Sequence, residues 1–244
     1  MKNLLKWELK QTVQSKAFWG VGITLTLLNT IFLIITCFDE GRVGFDLFLQ
    51  GCSDYNSFIL FFIGIYAGIH VTGAFEERKI QAAVMAGNSR FNILAAKLLS
   101  YDFSVATFSI CAMGASLAVG IITNEGFLLV DDFLGEVILR IVAYTFVEIS
   151  FVSICFFLSM SVKSLGAAIT VNLITMLVLN MVGQMLICKE SLVDFMKFTP
   201  LGQTFILLGD ASTNNLLTSF VASVLGIGVI MALSYARFRR EELK

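Results

Sequence analysis

The chain has little of what a soluble enzyme needs. It contains a single histidine, a single proline, and only 14% charged residues. Soluble domains average about 25% charged residues, so this chain lacks the charge to cover a water-exposed surface. The sequence has no H-E-x-x-H pair for zinc and no G-x-x-x-x-G-K-[ST] loop for nucleotide phosphates. We therefore expect that the chain is not an enzyme and holds no metal or cofactor of its own.

Six long stretches of almost uncharged sequence take the place of a polar surface. They are residues 17–38, 55–75, 103–124, 141–162, 164–188 and 211–236. A helix rises about 1.5 Å per residue, so each stretch can cross a hydrocarbon core roughly 30 Å thick. In lipid the backbone must be hydrogen-bonded within the segment, which favours helices. The sequence predicts an all-α polytopic membrane protein with six transmembrane helices and a single transmembrane domain over 1–244.

Charged residues divide unevenly between the two sides of these spans. With the N-terminus inside, 13 of the 17 Lys and Arg residues fall on the inner side and 4 on the outer side. Asp and Glu show the opposite bias, with eleven outside and six inside. Because basic residues accumulate on the cytoplasmic side, we expect both termini to be cytoplasmic.

The five cysteines form no C-x-x-C pair and have no metal-site spacing. Most lie in or beside spans, where cysteine behaves as a small apolar residue. Cys37, Cys52 and Cys188 are expected near the outer face, and whether any two of them form a disulfide stays open.

One carboxylate, Glu148, lies inside a predicted span. It is about eight residues, or roughly 12 Å, from the outer end of the fourth span. Such a charge is costly in the membrane unless it is paired, protonated or hydrated. Glu148 is therefore a candidate pathway residue, and a role in helix pairing is the alternative.

The longest inward connection, 76–97, has the pattern of a short amphipathic helix. Ile80 and Val84 recur at helical spacing, whereas Glu77 and Arg78 take other faces. Gly87 is expected to end this helix. Two interpretations stay open, a solvated loop that anchors the chain at the interface and a docking helix for a cytoplasmic partner.

The last outer connection, 189–210, is too apolar for a solvated linker, and we expect it to pack on the membrane or dip into it. Pro200 and Gly202 are expected to break it into two short pieces.

Four features of the chain belong together: the start Lys6-Trp7-Glu8-Leu9-Lys10 with Ser15-Lys16 before the first span, the loop with Glu76-Glu77 and Gly87-x-Ser89-Arg90 followed by Lys97, the near absence of a loop at Lys163, and the long final outer loop. In these features the chain resembles the ABC-2 type permeases, the six-span membrane subunits of ABC exporters that include the bacitracin and lantibiotic self-protection branch. The resemblance covers essentially the whole chain. It implies an ABC-2 exporter-like (type V) architecture in a bacterial cytoplasmic membrane.

The resemblance also implies roles for particular segments. Residues 76–92 would be the coupling loop, with the coupling helix over 76–86, and 189–210 would be an outer re-entrant region. The residues expected at the contact with the ATPase are Glu76, Glu77, Arg78, Ile80, Val84, Gly87 and Arg90. Residues 1–16 would form an interfacial helix, with Lys6, Trp7 and Lys10 at the membrane surface, where each lysine gains about 1 kcal/mol from anionic lipid.

The partners follow from the same resemblance. Separate ABC ATPase subunits would bind ATP and Mg²⁺, and a second permease, identical or related, would complete the pathway. The expected cargo is an amphipathic or hydrophobic substrate, for example a peptide antibiotic. Two other classes stay open: an ion-coupled carrier or channel that uses Glu148 without an ATPase, and a membrane anchor or sensory subunit without cargo.

Overall fold

The computed structural model describes residues 2–123, 133–187, 195–209 and 212–240. All regular elements in these residues are helical. The α-helices are α1 Lys2–Gln14, α2 Lys16–Glu40, α3 Gly44–Ala67, α4 Gly73–Glu76, α5 Lys79–Met85, α6 Arg90–Thr123, α7 Phe133–Ser161, α8 Leu165–Ile187, α9 Pro200–Gly209 and α10 Thr213–Arg240. A π-helical turn, Gly68–Thr72, joins α3 to α4.

Six helical segments of the described residues are long and apolar enough to cross a membrane. They are Lys16–Glu40, Gly44–Glu76, Arg90–Thr123, Val137–Ser161, Leu165–Leu186 and Asn214–Arg240. The predicted number of spans and the all-α class are therefore confirmed. The side of the membrane on which the termini lie stays a prediction.

Two helices begin well before the predicted spans. The second helical segment starts at residue 44 rather than 55, and the third at 90 rather than 103. The predicted windows were cut at Asp54 and Asp102, because each window was required to be nearly free of charge. A charged residue ends an uncharged window without ending a helix, so the helices continue through both carboxylates.

Helix α2 has clear sequence signals at both ends. The hydroxyl of Ser15 accepts a hydrogen bond from the amide of Ala17 at 3.2 Å, which caps the first turn. Gly41 follows the last turn with φ 64°, a left-handed conformation that glycine adopts without strain. The short link to α3 therefore replaces most of the outer loop predicted between the first two spans.

Three helices form the centre of the bundle and three surround it. About half of the apolar window is buried in Gly44–Glu76 (56%) and Val137–Ser161 (61%), against 17% in each of the segments that contain α2, α8 and α10. Helix α2 packs on α3 and α6, α8 packs mainly on α3, and α10 packs mainly on α7. The outer three helices therefore present most of their apolar surface to lipid or to a partner.

Small residues allow α3 to approach α8 closely. A Cβ added at Gly68 would lie 2.7 Å from Cγ1 of Ile169, and one at Gly64 would lie 3.2 Å from Cβ of Asn172. In membranes such small residues let helix backbones come close and gain van der Waals contact.

Buried amides hold the helices in register. The amide nitrogen of Asn29 donates to the hydroxyl of Ser116 at 2.8 Å, which joins α2 to α6. The amide nitrogen of Asn172 donates to the hydroxyl of Ser159 at 2.8 Å and to the carbonyl of Gly64 at 3.1 Å. Such bonds are each worth about 0.6 kcal/mol in membrane proteins, so they orient the helices more than they stabilise them.

Of the apolar outer region, the structure describes residues 195–209; residues 189–194 and 210 lie outside the described residues. Pro200 begins α9, where its missing N–H costs nothing, and Gly202 lies within the first turn rather than at a break. A Cβ at Gly202 would lie about 2.7 Å from the carbonyl carbon of Met196, so only glycine fits this approach. Helix α9 packs on α7, α10 and α8.

The predicted outer cysteines are only partly described. Cys37 and Cys52 are both free thiols, with Cys52 buried. Cys188 lies outside the described residues, so a bond that involves it stays a prediction.

Candidate functional site

The predicted coupling loop lies at one end of the bundle, together with the N-terminal helix and the C-terminal end of α10. We call this the inner end, and we call residues 76–90 the inner corner. The inner corner is tied to distant parts of the chain by hydrogen bonds from its first and last residues. It is therefore a built structure rather than a solvated loop.

Glu76 ties the inner corner to the start of α8. Its Oε1 accepts a hydrogen bond from the amide of Leu165 at 2.8 Å. The first amides of a helix lack internal partners and carry partial positive charge, so a carboxylate there is stabilising. Glu76 thus caps α8, and its carboxylate is engaged within the chain.

Arg90 ties the inner corner to the end of α10. Its Nη1 donates to the carbonyls of Phe238 and Arg239, each at 3.1 Å. Its guanidinium carbon also lies 5.9 Å from the centre of the Phe238 ring. A cation at the C-terminal end of a helix complements the partial negative charge of the last carbonyls. Arg90 therefore anchors α6 to α10.

Between these anchors, α5 turns its apolar side towards the bundle. Ile80 is buried and Val84 is half-buried against the core. Arg78 has φ 57° before the helix and Gly87 has φ 84° after it. A positive φ is uncommon for a residue with a side chain, so the chain makes a sharp reversal at Arg78. Glu77 and Lys79 form an ion pair across this turn.

The opposite side of α5 is exposed and apolar. We call Ala82, Met85, Ala86 and Gly87 the docking tip, since all four are exposed. Met85 has 81% of its surface accessible, which is unusual for a long apolar side chain. The sequence interpretation missed Met85 and Ala82, although a helical wheel places both away from Ile80. The sequence did contain a signal for this face, because Met85 is an apolar residue on the side of the helix that the pattern assigns to solvent.

The N-terminal helix has an exposed basic side and a buried polar side. Lys6, Trp7 and Lys10, the predicted interfacial residues, are all exposed. Glu8 and Thr12 are buried on the side that packs against α6.

Glu8 forms the only buried ion pair among the described residues, with Lys97 of α6. Its Oε2 lies 3.1 Å from Nζ of Lys97, and both side chains are less than 8% exposed. Lys97 is therefore a structural link between α1 and α6. Its acidic partner lies 89 residues away, so the sequence pattern does not reveal the pair.

Glu148, the candidate pathway residue, lies in the core of the bundle. Its side chain is fully buried, and neither carboxylate oxygen has a hydrogen-bond partner among the described residues. It is close enough to Cys52, Tyr55 and Tyr144 to interact with them electrostatically.

The two tyrosine hydroxyls beside Glu148 are bonded elsewhere. The hydroxyl of Tyr55 pairs with that of Ser109 at 2.9 Å, and the hydroxyl of Tyr144 donates to the carbonyl of Thr204 in α9 at 3.3 Å. Glu148 is therefore enclosed by this chain alone and is not open to a surface that a second chain could share.

The sequence interpretation also did not consider Asp102 as a residue inside a helix. Asp102 lies in α6, is half-buried, and its Oδ1 has no hydrogen-bond partner among the described residues. It was missed because it stands directly before the predicted span 103–124 and was read as the boundary.

Comparison with known proteins does not assign this chain. No protein-family model matches it, and no curated protein gives a significant match. In the part of the chain that the structure describes, no three His, Cys, Asp or Glu side chains lie together as a metal site. The function must therefore be inferred from the residues and geometry described above.

Proposed function

We propose that the chain is the permease subunit of an ATP-driven ABC exporter in a bacterial cytoplasmic membrane. The observation that carries the proposal is the docking tip, an exposed apolar helix face held at the inner end of a six-helix bundle. An exposed methionine at the end of a short helix suits a cleft in a cytoplasmic partner, because methionine adapts to an apolar surface. The sequence contains no G-x-x-x-x-G-K-[ST] pattern, so the proposal assigns ATP and Mg²⁺ to a separate ATPase.

The anchors of the inner corner give a route by which a partner could move the bundle. A displacement of α5 would act on α8 through Glu76 and on α10 through Arg90. Ile80 and Val84 would transmit it to the core. We therefore divide the predicted coupling residues into two groups. The first group borders the contact with the ATPase and consists of Glu77, Arg78 and Gly87. The second group transmits the motion of α5 to the bundle and consists of Glu76, Ile80, Val84 and Arg90.

A second permease, identical or related, is part of the proposal. The outer helices α2, α8 and α10 leave most of their apolar surface uncovered by this chain. A pathway between two such bundles would expose a substrate to apolar helix faces. This favours an amphipathic or hydrophobic cargo, for example a peptide antibiotic, and a role in antimicrobial peptide resistance.

One observation favours a second candidate, an ion-coupled carrier that needs no ATPase. Glu148 is a fully buried carboxylate without a hydrogen bond from the described residues. Intramembrane acids that lack a fixed partner are typical of proton and ion relays. In this alternative the ion would bind at Glu148 and the docking tip would have no partner.

Affinity purification from the native membrane separates the two candidates. The tagged full chain would be extracted in mild detergent and everything that co-purifies identified by mass spectrometry. We expect a P-loop ATPase in stoichiometric amount, and a related six-span chain if the second permease differs from this one. Recovery of this chain without any ATPase would contradict the exporter and favour the carrier.

A further inference from the structure

A polar cavity of about 110 Å³ lies at the inner end of the bundle. It is a partly open cavity, lined by the end of α1, the start of α2, the end of α3, the π-helical turn, α4, the inner corner and α6. Its polar walls are formed by two lysines, one carboxylate and four neutral side chains: Lys79, Lys97, Glu77, Gln11, Thr12, Ser15 and His70. A cavity of about 10–15 Å³ holds one water molecule. The cavity at the inner end is several times larger, so it has room for a polyatomic ion.

Two buried donors in the lining of the cavity are incompletely used by the chain. Thr12 is 2% exposed, and its hydroxyl has no hydrogen-bond partner among the described residues. The ammonium of Lys97 has three donors, and within the described residues it gives one hydrogen bond, to Glu8. A buried donor without an acceptor costs free energy, which favours a ligand that supplies acceptors.

The start of α2 also faces this cavity. Ser15 is the N-cap of this 25-residue helix, and both Ser15 and Ala17 line the cavity. The first turn of a helix carries partial positive charge and attracts anions. The unpartnered hydroxyl of Thr12 provides a second, independent indication of a ligand with acceptor oxygens.

One wall of the cavity is formed by an irregular turn. His70 lies in the π-helical turn Gly68–Thr72, and its Nε2 lies 3.0 Å from the hydroxyl of Ser100. Its ring stacks on Tyr66 with centroids 5.3 Å apart. Single π-helical turns are rare and occur frequently at functional sites, where they redirect a side chain. The ring is held at the cavity wall by these contacts.

Two acids balance the local charge, Glu8 behind Lys97 and Glu77 beside Lys79. The pair of Glu77 with Lys79 is 60% and 40% exposed, and such surface pairs contribute little. Lys79 can therefore change partner at low cost. An anion in the cavity would recruit Lys79 while Lys97 keeps its bond to Glu8.

We propose that this cavity binds a phosphate group. The group could belong to a phospholipid of the inner leaflet or to a soluble phosphate, since the donors would recognise either. The exposed Lys6, Trp7 and Lys10 on the same helix α1 favour lipid at the rim of the cavity. This inference does not depend on an ATPase partner.

Native mass spectrometry of the purified full chain tests the site with three probes: phosphatidylglycerol, inorganic phosphate and diacylglycerol. Thr12→Val removes the unpartnered hydroxyl without changing side-chain shape, and Lys79→Gln removes the mobile cation. Lys163→Gln is the matched control, because it neutralises an exposed lysine that lies outside α1 and does not line the cavity. The Thr12 and Lys79 variants should each weaken binding of the phosphate-bearing probe about tenfold, and the control less than about twofold.

Each outcome decides the proposal. Binding of phosphatidylglycerol but not inorganic phosphate supports a lipid source, and binding of both supports recognition of the phosphate group itself. The proposal would be overturned if neither phosphate-bearing probe bound, or if diacylglycerol bound as tightly as phosphatidylglycerol. Equal affinities of the Thr12, Lys79 and Lys163 variants for every probe would also overturn it.

Discussion

Replacing Lys97 by Met is expected to lower the free energy of unfolding by about 3–5 kcal/mol, because it leaves the charge of Glu8 buried without its cation. The intact ion pair contributes little net stability, because the attraction between the two ions is about offset by the free-energy cost of removing both from water. The large effect comes from the partner that stays behind. Unfolding of the solubilised chain in mixed micelles would measure it.

The double variant Glu8→Gln with Lys97→Met separates this explanation from a simple loss of packing. It removes both charges, so we expect it to recover most of the stability lost in the single variant. Lys10→Met is the control for the loss of a lysine, since Lys10 is exposed on the same helix. Additive losses in the double variant would show that the two side chains are not paired.

Glu148→Lys is expected to prevent the folded chain from accumulating in the membrane, whereas Glu148→Gln should be tolerated. A lysine at the centre of a membrane helix costs about 3 kcal/mol, and this position is fully enclosed by protein. Glutamine keeps the shape of the side chain without a charge. Membrane levels and the size-exclusion profile of the two variants would measure the difference.

The glutamine variant also separates the two candidate functions. In the exporter, Glu148 lies inside one bundle and away from any surface shared with a partner, so export should continue. In the ion-coupled carrier, loss of the titratable group would abolish ion-dependent transport. Folding of the lysine variant at wild-type levels would contradict the buried position of Glu148.

The spans could be predicted from sequence because the signal is local. Each of the six apolar stretches is by itself long enough to cross a membrane, so each span can be recognised from its own residues. Their ends were less predictable, because Asp54 and Asp102 interrupt the apolar pattern without interrupting the helix. Whether a charge at the end of a span lies in water or in protein depends on what packs beside it.

A short helix was predicted within the inner corner, over 76–86, and the structure has one over Lys79–Met85. The roles of the residues in the inner corner were not predictable. Glu76 and Arg90 were grouped with the contact residues because of the resemblance to ABC-2 permeases. Their partners, Leu165 and Phe238, are 89 and 148 residues away in the sequence. Contacts at that distance leave no periodic pattern. For the same reason the buried pair of Glu8 and Lys97 was missed.

The most direct test of the proposed exporter is photo-cross-linking from the docking tip in native membranes. A photoreactive amino acid would replace Met85, which is 81% exposed at the inner end, or Ile122, which is 79% exposed at the opposite end of α6. Our proposal predicts that position 85 cross-links to a P-loop ATPase and that position 122 does not. Absence of an ATPase product from position 85, with the chain folded and inserted, would contradict it.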